Sequence, residues 1–119
     1  MSQNFEPGDF LVFQLEAGFG LLRLLAVDEE NVGKTWHIAA YDVFFPDVEG
    51  AEAATVVPNR LTPSYPHLAL TGRAFESTQV AKVANIPLSE KELEPLSDWK
   101  SDPSREIYDR SVRLLLGIR

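Results

Sequence analysis

The chain has no cysteine, one methionine and only two histidines among its 119 residues. Without thiols there is no disulfide and no thiolate-held zinc or iron–sulfur centre, and the composition fits a reducing, cytoplasmic setting. Basic residues are also scarce: eleven Lys and Arg stand against eighteen Asp and Glu, a formal charge of −7. Nucleic-acid binders displace phosphate counterions with clustered Lys and Arg; no such cluster occurs here, so nucleic acid is not an expected partner. Long apolar runs are missing too. The longest, Phe19 to Val27, is interrupted by Arg23 and is far too short to span a bilayer, so no membrane partner is expected. Met1 to Asp9 is polar and acidic and does not read as a signal peptide. With no repeat, low-complexity tract or linker, residues 1–119 read as a single domain.

What is present centres on Gly8 to Val27, which reads as a β-hairpin. Phe10 to Leu15 and Phe19 to Val27 are rich in aromatic and branched residues, and Glu16-Ala17-Gly18 supplies the turn. Both faces of these strands are largely apolar, which suits a curved sheet covered on both sides. Gly20, inside the second run, marks a bulge or bend. A third strand, Thr35 to Phe45, places Trp36, Ile38 and Ala40 on one face and His37, Ala39 and Tyr41 on the other. His67 to Thr71 and Thr78 to Ile86 read as further strands. Ser89 caps a short helix that Pro95 ends, and Asp102-Pro103 opens an amphipathic helix carrying Ile107, Tyr108, Val112 and Leu115. The expected fold is α+β: a curved antiparallel sheet of five or six strands forming a small barrel, with that C-terminal helix packed on it.

The motifs of common chemistries are absent. There is no Gly-x-Ser-x-Gly elbow, no His-Glu-x-x-His and no phosphate-binding Walker sequence. Gly18-Phe19-Gly20 begins like a dinucleotide fingerprint but joins two strands with no following helix. His37 and His67 lie thirty residues apart, without metal-ligand spacing, and His37 reads as a hydrogen-bonded structural residue. No catalytic residue, metal or cofactor is expected, and the chain does not read as an enzyme. The candidate binding residues are acidic. Asp28, Glu29 and Glu30 form one patch in a polar loop. Asp47, Glu49 and Glu52 form another in the irregular, proline-containing stretch 46–66, and Asp42 interrupts the third strand.

Several short motifs share an order with a known family. Gly8-Asp9 precedes an apolar strand, and Gly18-Phe19-Gly20 leads into a strand bearing Arg23. Tyr41-Asp42 ends the third strand, and Phe75-Glu76 leads through Val80 and Lys82 to Asn85-Ile86-Pro87-Leu88. This order, over Phe5 to Pro95, resembles the immunity protein 26 family of bacterial polymorphic-toxin systems. The leading Gly-Asp strand also resembles small barrels of the Src-homology-3 type. The first resemblance implies a β-rich, barrel-like domain that binds and neutralises a cognate toxin without catalysis. The reading that follows is a protein-binding domain whose acidic surface meets a basic partner, a toxin domain being the one the resemblance implies, and whose unpaired sheet edge would allow a homodimer. Two alternatives stand beside it: a small-molecule-binding domain using the aromatic strand Trp36 to Phe45, and an enzyme with a dispersed site.

Overall fold

A computed structural model describes residues 4–30 and 33–117. Five strands form one antiparallel sheet: β1 (Asp9–Leu15), β2 (Gly18–Glu30), β3 (Gly33–Phe45), β4 (Pro63–Thr71) and β5 (Val80–Asn85), in the order β4-β3-β2-β1-β5. Among the described residues the sheet is accompanied by the helices α1 (Val48–Ala54), α2 (Gly72–Glu76), α3 (Glu90–Ser101) and α4 (Val112–Leu115), with a 3-10 turn at Pro58–Arg60. The hairpin read around Gly18 is present, with Leu15 opposite Gly18 and Phe10 opposite Arg23. Gly20 is where a bulge shifts the β2–β3 register. A side chain there would overlap the ring of Phe13, so the bend and the packing of the neighbouring strand share one cause.

Alternation sends side chains to two covered faces. Leu11, Phe13, Leu22, Leu24, Trp36 and Ile38 face one layer, closed by Phe75 of α2 and Val112 of α4. Phe75 stacks on Trp36 with ring centroids 4.2 Å apart. On the opposite face, Phe10, Val12, Leu21 and Tyr41 pack with Ala51 of α1, while Leu25 and Ala39 pack with Leu96 of α3. Burying both faces of one sheet explains why the strands read as nearly continuous apolar runs.

Several expectations need correction. The sheet does not close into a barrel: β4 and β5 remain its two edges, and helices rather than further strands cover its faces. Asp28, Glu29 and Glu30 are not in a loop but extend β2, pairing with Thr35, Lys34 and Gly33. The Glu30 side chain and residues Asn31 and Val32 lie outside the described residues. The stretch 46–66 is largely ordered. Asp47 caps α1 by accepting from the Gly50 N–H at 2.7 Å, and Pro63 and Pro66 lie within β4. An edge strand tolerates them because its outer N–H groups need no ladder partner.

Helix α3 continues through Pro95 to Ser101, and the expected long C-terminal helix is replaced by an extended segment and the four-residue α4. Asp102 ends α3 instead of starting a new helix. Tyr108 pairs with the β4 edge instead: its N–H donates to the Ala69 carbonyl (2.8 Å) and its carbonyl accepts from Thr71 (3.0 Å). Thr71 and Arg73 then hold Asp109 by side-chain contacts. Covering exposed strand groups outweighs the helical periodicity of this segment.

Candidate functional site: a cleft between α3 and the sheet

Helix α3, the sheet face and the 58–66 segment enclose a cleft of about 700 Å³. Arg23, Leu25, Ala39 and Tyr41 line its sheet side. Prolines from three segments (Pro58, Pro63, Pro66, Pro87 and Pro95) contribute stiff apolar walls that offer no backbone N–H. Lys91, Glu92, Glu94 and Asp98 of α3 supply its charged side chains, together with Arg23.

Arg23 is 1% exposed and interrupts an apolar strand, so its charge requires partners. Its Nε donates to Glu92 Oε2 at 2.9 Å, Nη1 to the Gly8 carbonyl at 2.5 Å and Nη2 to the Pro87 carbonyl at 3.3 Å. The guanidinium also lies 4.1 Å from the centroid of the Phe10 ring. Glu92 is held from its other side by a capping box, in which its Oε1 accepts from the Ser89 N–H (2.9 Å) and Ser89 Oγ accepts from the Glu92 N–H (3.2 Å). Burial pushes the Glu92 carboxyl upward, but the hydrogen bonds from Arg23 and Ser89 outweigh it and hold the group below its ordinary range. One ion pair thus fixes the first turn of α3 above the sheet.

Tyr41 brings the remaining polar group to the sheet side of the cleft. Burial raises its phenol to about 12, helped by Glu92 and opposed by Arg23, so it stays a neutral hydroxyl at physiological pH. The site therefore combines apolar walls, a neutral donor–acceptor and a carboxylate-rich helix. This arrangement suits a ligand with an apolar body and a cationic end.

A second cluster, built around the buried His37 with Asp28, His67 and Trp99 half-buried about it, lies under the last turn of α3. His37 Nε2 is 2.8 Å from Asp28 Oδ2, and His37 Nδ1 is 2.9 Å from His67 Nε2. Trp99 meets both imidazoles, with centroids at 4.9 and 5.5 Å. No group of three or more His, Asp or Glu among the described residues is arranged to hold a metal ion. A more open depression beside Lys34, Trp36, Gly72 and Arg73 includes a buried Trp36 Nε1 without a partner among the described residues.

The structure disperses the acidic candidates. Asp28 is drawn into the histidine cluster, and Glu29 is exposed further along β2. Asp42 is exposed on the side of β3 away from Tyr41. Asp47, Glu49 and Glu52 lie exposed on or beside α1 and do not line the cleft. The groups that build the cleft are not among the acidic candidates, and Arg23 inside an apolar strand is the legible signal that an acid from elsewhere must meet it. No helix is long and apolar enough to cross a membrane among the described residues. No protein-family model matches the chain, and neither a curated protein nor a solved structure does.

Proposed function

We propose that this protein is a non-catalytic protein-binding domain, and that a basic segment of its partner enters the cleft beneath α3. The observation that carries this reading is the cleft itself: a cationic side chain with an apolar stem would lie between its proline walls and reach Glu94 and Asp98. The formal charge of −7 would speed encounter with a basic protein and make association salt-sensitive. The order of motifs resembling immunity protein 26 supports a toxin domain as that partner, in a cytoplasmic setting. A second reading, a small cationic molecule held in the same cleft, is favoured by the neutral Tyr41 hydroxyl on its sheet side.

The test compares capture of proteins from the native host's lysate by three forms of the tagged chain. These are the unaltered chain, a Glu94→Lys/Asp98→Lys variant at the cleft, and a Glu49→Lys/Glu52→Lys variant on α1. A basic protein eluting as salt rises, lost tenfold or more from the cleft variant and retained by the α1 variant, is the expected result. Loss from the α1 variant alone would move the interface to α1. Equal capture by all three would overturn both locations.

A further inference from the structure

The Asp28–His37–His67 row contains more titratable chemistry than packing requires, and the cleft reading does not use it. His37 is fully buried on β3. Asp28 approaches it from β2 and His67 from β4. From α3 come Trp99, edge-on to His37, and the charged Lys100, whose field opposes a positive His37. Asp98 of the same helix belongs to the cleft. Arg105, in the segment after α3, lies 5.4 Å from the Trp99 ring. Among the described residues, Asp28 is the carboxylate hydrogen-bonded to the imidazole pair.

Proton inventory then dictates behaviour. Asp28 as a carboxylate accepts from His37 Nε2–H, which in a neutral imidazole leaves a lone pair on Nδ1. At 2.9 Å that lone pair accepts from His67 Nε2–H. One further proton is accommodated by a shift along the row: His37 becomes an imidazolium between Asp28 and an accepting His67 Nε2. A second proton is not. With both rings charged, Nδ1–H of His37 and Nε2–H of His67 point at each other across the same gap, and the contact must open.

We infer that Asp28, His37, His67 and Trp99 form a proton-operated latch, which holds the C-terminal end of α3 on the sheet while at most one imidazole is charged and releases it when both are. Release moves the β4 edge and the last turn of α3 apart, because His67 and Trp99 sit on those two elements. The core on the other face, around Leu22, Ile38 and Phe75, has no part in it. The shifts of the two rings agree with this ordering. Burial lowers both, but Asp28 works against the fall at His37, whereas His67 has only burial and the neighbouring ring and drops to about 4.

The test is a histidine and tryptophan NMR titration of the intact chain from pH 8 to about 3.5, with amide hydrogen exchange at each end. The long-range ¹⁵N spectrum at pH 8 is expected to show His37 and His67 both as Nε2–H tautomers. The second imidazole is expected to titrate well below the ordinary 6.5, and the Trp99 indole resonance to move with it. Exchange in the last turns of α3 should then accelerate at least tenfold while β1 and β2 stay protected. A His67→Gln variant, which keeps a donor and removes the second charge, should abolish the Trp99 shift in that range. Two ordinary titrations near 6.5 would overturn the latch. So would a Trp99 resonance indifferent to the histidines, or loss of α3 protection only together with β1 and β2. None of these readouts involves a partner, so the outcome is independent of the cleft's role.

Discussion

Arg23 shows how a single charged residue organises one face of the protein. Its guanidinium joins the Gly8 carbonyl, the Pro87 carbonyl and Glu92, groups far apart in sequence that meet only here. Arg23→Leu keeps an apolar body on the strand but leaves those acceptors without their donor, and is expected to cost about 3–5 kcal/mol. Glu92→Gln retains an acceptor for the capping box and is expected to cost about 1–2 kcal/mol. Urea unfolding midpoints at neutral pH check both. Equal, small losses would mean that the buried contacts of the guanidinium are not coupled. Gly20→Ala is expected to lose about 1–3 kcal/mol by the same measurement, since its Cβ would overlap the Phe13 ring. At this scale the chain is informative on its own terms: a glycine within a strand and an arginine within an apolar run both mark places with a structural demand.

At the scale of elements, α3 is the instructive case. Its start is readable, because Ser89 and Glu92 have the spacing of a capping box and the structure contains one. Its end is not. Pro95 reads as a stop, yet the helix runs to Ser101 because Leu93, Leu96 and Trp99 extend an apolar stripe onto the sheet. Pro95 still lacks an N–H and leaves the Lys91 carbonyl without its helical donor. Pro95→Ala is therefore expected to stabilise the fold, by up to about 3 kcal/mol, whereas Ser89→Ala loses about 1 kcal/mol. Thermal unfolding followed by circular dichroism separates the two. A destabilised Pro95→Ala would show that ring packing in the cleft outweighs the backbone term. The C-terminal segment teaches the converse lesson. Its stripe of Ile107, Tyr108, Val112 and Leu115 has helical spacing, but the free β4 edge captures Tyr108 as an extended partner.

At the scale of the whole molecule, the buried and half-buried titratable groups set a pH profile. His37 and His67 have folded values below the ordinary 6.5, so between about 4 and 6.5 the unfolded chain binds more protons than the folded one. Their contribution is intact above 6.5 and lost as pH falls toward 4. Glu92 is also depressed; its contribution is present above its ordinary 4.5 and lost as pH falls below that value. Chemical denaturation at a series of fixed pH values is expected to show stability declining in two stages, first with the histidines and then with Glu92. A single decline beginning below 4.5 would mean that the histidine pair contributes nothing.

The residues alone determined the central hairpin, the bulge at Gly20, the doubly apolar strands and the absence of common catalytic motifs. Each depends on neighbours within a few positions: alternation, backbone freedom and side-chain shape act locally. The same locality governs Pro63 and Pro66, whose missing N–H groups confine them to an edge strand, and β4 is an edge. Tertiary structure decided what lay beyond that range. It left the sheet open, carried α3 past Pro95 and drew Tyr108 onto an edge. It also assembled Arg23 with Glu92 across 69 positions and His37 with His67 across 30. Those outcomes follow from desolvation: a buried charge, an imidazole or an open strand edge must find a partner, and the partner's position along the chain is set only when the sheet forms.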